Sequence, residues 1–581
     1  MKRFVSALGG IIFASSALWG APNSKIASTL LEQTTEAQVP VIIQYAKDPT
    51  ADDHGKVLNR GGRMTRRLNA MKAGAYVIPG AKLEELTKDP NVVHVSPDRI
   101  IHAKLDYTAA AVNASVAWHS SYTGKGVGVA VLDSGVSNVP DLDTRVVYSQ
   151  DFTGGNGQDA FGHGEHVAGI IAASGRTTNN RQDTRVFRGM APQANIINLR
   201  VLDQNGESSD STVISAIERA IELKDQYNIR VMNLSLGRGI YESYQSDPLC
   251  QAVEAAWKAG IVVVAAAGND GRDGYGTINA PGNDPYVITV GAIKTMGTYD
   301  RSDDQVATYS SKGPTLGDGI VKPDLLAPGN LVVSLLAPGS PTLSTQYPQD
   351  VMATSYYQNV SPAAASPFLM LSGTSMATPV VAGAAADLIQ EDPTLTPDQV
   401  KALLMMTANK NLPASSTSTD PATGESFVDY SDFFTVGAGE LDLGAAVTAL
   451  QNSGPQFLPN GNALSPAIGY DQNSGTTLVT FAPGSLWGSN SYWGVNTIWG
   501  NNTIWGNNSY WATNTIWGNN SYWATNSYWA TNSIWGNNTI WGNNSYWATN
   551  TIWGNNSYWG VNTIWGNLDI HSQSVSGLGE K

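Results

Sequence analysis

The chain has 581 residues and a net charge of −14, and only 14% of its residues are charged. That length allows several domains around a large core, and the acidic balance argues against nucleic acid as a partner, whose binding surfaces are basic. The single cysteine, Cys250, excludes an intramolecular disulfide and reads as a small buried hydrophobe.

Residues 1–21 begin with Lys2 and Arg3, followed by an apolar stretch rich in small residues at 4–18. This is the pattern of a secretory signal peptide, cut within 17–21. It is short for a membrane span, and no later segment offers about 18 uninterrupted apolar residues. The expected location is therefore secreted or extracellular. Export without disulfides leans toward a bacterial-type protein.

Residues 22–104 alternate between strand and helix patterns, as in a small α+β domain. Strands are predicted at 39–45 (VPVIIQY), 75–79 and 92–95, a basic helix at 58–68, and a short helix at 81–87. From residue 126 the pattern changes. The run 127–132 (VGVAVL) is apolar and β-rich, as expected for a strand covered on both faces. Asp133 ends it, and functional groups collect at the carboxyl ends of strands in open parallel sheets. Further strands are predicted at 196–200, 230–234, 261–266 and 286–290, with helices at 212–223 and 249–258. The expected fold class is α/β, a doubly wound parallel sheet, over residues 105–450.

Residues 162–169 read GHGEHVAG. The pair His163 and His166 does not meet the HExxH zinc pattern, and no third ligand is evident. Residues 371–379 read LSGTSMATP, and an almost wholly apolar helix is predicted at 376–389. Ser375 stands at its start, where free N–H groups and the helix dipole favour negative charge. Taken alone, Ser375 is also a preferred N-cap, and Asn269 before Asp270 and Gly271 is an ordinary turn residue.

Together the motifs VLDSGV, GHGEHVAG and GTSMATPVVAG, with acid, base and nucleophile in the order Asp133, His163, Ser375, closely resemble the subtilisin-like serine proteases. MAPQANIINLRVL, VMNLSLG, VVVAAAGND and SSKGP fit the same pattern. The stretch AYVIPGAKLEELTKDPNVVHVSPDRIIHA resembles the end of the inhibitor propeptide that precedes such proteases. The resemblance covers roughly residues 24–450. It implies a subtilisin-like catalytic domain, a catalytic triad of Asp133, His163 and Ser375, and an oxyanion-hole role for Asn269. It implies that Ser235, Leu236 and Gly237, with Ala266, Ala267 and Gly268, line the pocket before the cut bond, with Asn279 at its floor. Gly206, Glu207 and Ser208 would pair with an extended substrate as an added strand. The small, uncharged lining predicts a preference for apolar or aromatic side chains. The propeptide, 22–104, would act as an intramolecular inhibitor, cut away near 102–108. Where the family usually has Thr between the two histidines, this chain has Glu165. No cofactor is expected for catalysis. Asp141, in PDL, resembles a calcium ligand of some members, making calcium a candidate structural ion beside Asn179, Asn180 and Asp183.

Residues 392–406 predict a capped helix, and 451–485 read as a linker rich in Gly, Asn, Pro and Ser. From Trp487 to Trp565 a tryptophan recurs at every sixth position, fourteen times. This hexapeptide repeat, 486–567, predicts a β-solenoid or other repetitive β form; the competing reading is a disordered low-complexity segment prone to β association. A tail at 568–581 follows. Its aromatics suit stacking on sugars at a cell surface, self-association or anchoring. The leading functional expectation is a secreted serine endopeptidase acting on protein or peptide substrates. The alternative is a surface adhesion or matrix protein whose repeats do the main work, with a protease domain that processes itself.

Overall fold

Apolar residues alternate along Gln38–Tyr45 (β1), so Val41, Ile43 and Tyr45 share one buried face. The structure is a computed structural model. It describes residues 25–27, 30, 38–68, 71–97, 104–105, 107–179, 183–358, 366–420, 423–453, 461–471, 476–485, 570–572 and 580. The signal-peptide stretch and the Trp repeat lie outside the described residues. Contacts divide the chain into two units, Met1–His102 and Ala103–Lys581.

In the first unit, β1 pairs antiparallel with Ala73–Pro79 (β3) and Val92–Pro97 (β4), and Arg63–Leu68 (β2) pairs with β3 at the edge. Val41, Ile43, Tyr76, Ile78, Leu83 and Val95 form its core. The helix expected at 58–68 is absent there. A helix instead spans Ala51–Leu58 (α1), set by a capping box in which Asp53 N–H donates to Thr50 Oγ1 and Thr50 N–H to Asp53. Gly61, at φ +79°, then turns the chain. RMTRRL follows as an edge strand with its arginines outward. Arg and Leu favour helix by propensity; the glycine break and pairing with β3 override it.

The second unit is built on a mainly parallel sheet. Its strands are Gly128–Asp133 (β5), Val146–Asp151 (β6), Asn195–Arg200 (β7), Ile229–Leu234 (β9), Val262–Ala266 (β11), Ile288–Lys294 (β12), Gln305–Val306 (β13) and Leu325–Pro328 (β14). Two short strands, Glu207–Ser208 (β8) and Leu236–Gly237 (β10), stand outside this sheet. The sheet order is β13-β12-β11-β9-β5-β7-β6, with β14 also beside β12. Only β13 runs antiparallel in it. Every residue of β5, β11 and β12 is buried, as continuous apolar runs require when both faces are covered. Helices His163–Ala172 (α2) and Thr374–Glu391 (α5) pack on one another, as do Asp210–Tyr227 (α3) and Pro248–Lys258 (α4). From β5 the chain winds one way to β6 and β7, then returns to β9 and beyond. The carboxyl end of β5 therefore lies at the switch point, where open sheets bind ligands.

Residues 374–389 of α5 are all buried, which matches an apolar segment covered on every side. Helix Pro397–Thr407 (α6) opens with a Thr396–Gln399 capping box. The stretch read as a linker is partly folded. Ala467–Asp471 and Thr476–Thr480 form a hairpin, and Val321 N–H donates to Pro466 O at 2.8 Å. Ser465 Oγ donates to Asp324 at 2.6 Å and accepts from the buried Lys401 ammonium at 2.8 Å. The Gly, Asn, Pro and Ser content of the stretch hid Ser465, whose hydroxyl helps to satisfy a buried charge cluster. Cys250 is buried beside Asn283, and burial pushes its thiol up. Among the described residues no helix is long and apolar enough to cross a membrane.

Candidate active site

Asp133 ends β5, and His163 is the first residue of α2. Asp133 Oδ1 accepts from His163 Nδ1 at 2.7 Å and from the Ser134 N–H at 2.7 Å, with both side chains buried. An ionised carboxylate only accepts, so this contact places a proton on Nδ1, and in the neutral imidazole the lone pair is then on Nε2. His163 Nε2 is buried and has no hydrogen-bond partner among the described residues. A ring so arranged can take a proton from a neighbouring hydroxyl.

The approach of α2 to β5 depends on Gly164. A Cβ there would lie 2.3 Å from Gly135 O and 3.2 Å from Asp133 Cβ. The first turn is held by Asp159, which the sequence analysis missed. Its Oδ1 accepts from Gly162 N–H at 2.7 Å, Phe161 N–H at 3.1 Å and Ser134 Oγ at 2.8 Å, and its Oδ2 from Glu165 N–H at 2.7 Å. Ser134 Oγ in turn accepts from Gly164 N–H at 2.9 Å. One carboxylate thus ties the strand end to the helix start. Burial pushes its carboxyl up from the usual range. An acidic residue shortly before a helix was the one available signal.

Glu165 turns away from the imidazole: its Oε2 accepts from Ser137 N–H at 2.6 Å, and burial raises its carboxyl to about 8. His166 Nε2 is within 3.1 Å of the Val332 and Leu369 carbonyls, and burial lowers its pKa to about 3. It is a neutral core histidine, and among the described residues no cluster of three His, Cys, Asp or Glu could hold a metal.

Ser375 is the second residue of α5, after Gly373 at φ +148°, a backbone setting that suits glycine. Its Oγ donates to Ser235 O at 3.0 Å, and Ser235 Oγ donates back to Ser375 O at 2.8 Å. Among the described residues Ser375 Oγ makes no hydrogen bond to His163. Asn269 Oδ1 accepts from Thr374 N–H at 2.9 Å, which aligns its amide beside the helix start. Gly268 N–H donates to Thr374 Oγ1 at 3.2 Å. The structure thus joins Asp133 to His163 directly, and Ser375 to Ser235 directly and to Asn269 and Gly268 through Thr374.

Leu236, Gly237, Ala266, Ala267 and Gly268 are buried. Asn279 N–H donates to Ala267 O at 2.9 Å, and the Asn279 amide lies against Gly268. Gly206, at φ +79°, leads into β8. Asp141 is buried, its carboxylate accepting from Ser174 Oγ at 3.0 Å and Thr177 N–H at 3.3 Å. Asn180 lies outside the described residues.

The Subtilase family model matches residues 124–428. Serine protease AprX of Bacillus subtilis (strain 168) is 39% identical over 364 residues, 60% of this chain and 77% of the relative. Subtilisin E of the same organism is 34% identical over 358 residues, 61% of this chain and 79% of the relative. Among solved structures, Sphericase matches at 28% identity and a TM-score of 0.42, covering 55% of this chain and 92% of that one. The chain belongs to the subtilase family and is a subtilisin-like serine endopeptidase.

Proposed function

We propose that Asp133, His163 and Ser375 are the catalytic triad of a secreted endopeptidase made as a zymogen. The observation that carries this is the 2.7 Å bond from the buried imidazole to Asp133, with Nε2 left unpartnered. Ser375 Oγ rotates from the Ser235 carbonyl, gives its proton to His163 Nε2 and attacks the substrate carbonyl. His163 then protonates the leaving amine, and Asp133 stabilises the imidazolium and its tautomer. A water, activated by the same imidazole, hydrolyses the acyl-enzyme. The tetrahedral oxyanion is held by the Asn269 side-chain amide and by the N–H of Ser375, which the first turn of α5 leaves without an intrahelical acceptor.

Substrate backbone pairs with β8 and β10, and the side chain before the cut bond enters between Ser235-Leu236-Gly237 and Ala266-Ala267-Gly268. These small, uncharged residues favour apolar or aromatic groups. Peptides differing only at that position test this, and a strong preference for Lys or Arg defeats it. Catalysis takes no cofactor in this scheme.

Residues 22–104 are the propeptide and 1–21 the signal peptide in this reading. The propeptide assignment is supported by its resemblance to inhibitor propeptides and by a unit boundary at His102. Mass analysis of the expressed chain beside Ser375→Ala tests it. The reading fails if both lose residues 22 to about 104 equally. The repeat 486–567 anchors the enzyme to a surface or to other copies, and surface attachment with and without it is the test.

A further inference from the structure

Residues Ile570–Ser572 follow the repeats and form a last strand, β15. It lies between the two short strands β8 and β10 and runs antiparallel to both. Ile570 pairs with Ser208 and His571 with Glu207 on one side. His571 pairs with Gly237 and Ser572 with Leu236 on the other. These are the edges assigned above to substrate backbone. The residue preceding Leu236 is Ser235, whose carbonyl accepts from Ser375 Oγ. Main-chain pairing admits any extended segment, so the selection of this one comes from elsewhere.

It comes from Glu580. This residue is 4% exposed. Its carboxylate meets Lys294 Nζ at 3.2 Å, Arg272 at 3.1 Å and Thr308 N–H at 3.0 Å, and also accepts from the Thr308 hydroxyl. Its backbone exchanges two hydrogen bonds of 2.7 Å with the Asn330 side chain. Lys294 is 1% exposed, and a buried ammonium is costly without a counter-charge. The socket is therefore built for a carboxylate.

We propose that the C-terminal segment is a ligand of this chain's own substrate groove. Residues 570–572 fill the groove as the central strand, and the socket of Arg272, Lys294, Thr308 and Asn330 is a second site that reads an acidic residue downstream of it. The groove's identity rests on the protease reading above; the socket stands on its own contacts. Because strand and anchor are tethered to the enzyme, they face it at an effective concentration on the order of millimolar, and even a weak strand stays seated. Substrate has to displace it.

The test is steady-state hydrolysis of a short apolar chromogenic peptide by the full chain, by His571→Pro, which removes a strand N–H, and by Glu580→Gln, which removes the anchoring charge. Both variants are expected to raise kcat/KM by about tenfold through a lower KM at unchanged kcat. A synthetic peptide of residues 568–581 is expected to inhibit His571→Pro competitively, and its Glu580→Gln form less well. Values of kcat/KM within twofold of the parent in both variants, or no inhibition by millimolar peptide, would overturn the proposal. Specific activity that falls as enzyme concentration rises would overturn the same-chain assignment. If no form hydrolyses peptide, the protease reading fails, and occupancy is read separately by amide exchange in the Ser375→Ala chain. Protection of β8 and β10 that is lost on adding His571→Pro supports the proposal; unchanged protection overturns it.

Discussion

Replacing Asp159 by Asn probes how the imidazole is aimed without touching a reacting group. Asp159 Oδ1 serves three donors and Oδ2 one, the Glu165 N–H. An asparagine keeps one oxygen, and its best placement serves the three donors. Its NH2 then faces the Glu165 N–H, so one charge-assisted hydrogen bond is lost and two donors meet in a buried space. The cost is about 2–4 kcal/mol, less than the roughly 5–15 kcal/mol that holds a domain folded. The first turn of α2 relaxes by moving, and His163 moves with it. A misplacement on the order of 1 Å lowers turnover by about 100-fold. The assay pairs urea unfolding with kcat/KM on an apolar peptide and the rate of fluorophosphonate labelling. A lowered midpoint with a 10- to 100-fold loss in both rates is expected, on the order of 1.4–2.8 kcal/mol of transition-state stabilisation. Rates within twofold of the parent would refute the role given to this carboxylate.

Other perturbations address other parts of the site. Asn269→Ala should lower kcat by about 10²–10³, the loss typical of removing one oxyanion donor, with KM little changed; a change only in KM would remove Asn269 from the transition state. Glu165 ionises near 4.5 when unfolded and near 8 when folded, so between those values the folded chain binds more protons and stability falls as pH rises. Glu165→Gln should therefore flatten the stability profile across that window by up to about 1.4 kcal/mol per pH unit; parallel urea midpoints for parent and variant would contradict this. Gly164→Ala places a methyl 2.3 Å from Gly135 O, and should lower the thermal midpoint and abolish labelling of Ser375; parental labelling would show that the approach of α2 to β5 is not tight. Chelation with EDTA should leave activity unchanged, since donors already occupy the Asp141 carboxylate; loss of activity restored by calcium would reverse that reading.

The sheet was legible because its strands are short apolar runs buried on both faces, and Asp133 was legible as the polar residue closing one of them. Ser375 was legible from the almost wholly apolar helix behind it. The grip of Asp159 was not, because its four donors are gathered by the meeting of a strand end, a loop and a helix start, which leaves no periodic trace. Residues 58–68 misled because arginine and leucine favour helix, while the pairing of 63–68 with β3 is a long-range fact. Residues 451–485 misled in the opposite sense: their Gly, Asn, Pro and Ser content reads as linker, yet Ser465 completes the hydrogen bonding of a buried lysine. The return of residues 570–572 to the edges of β8 and β10 is invisible in a three-residue segment beyond a long repeat.

In this mechanism an ordinary hydroxyl at the start of α5 is made nucleophilic by the Asp133–His163 pair. Reaction with a fluorophosphonate, followed by peptide mass analysis, is the decisive assay. The mechanism predicts one phosphonylated residue, Ser375, in the parent chain, no modification in Ser375→Ala, and labelling slowed by orders of magnitude in His163→Ala. Modification at another serine, or an undiminished rate in His163→Ala, would contradict it.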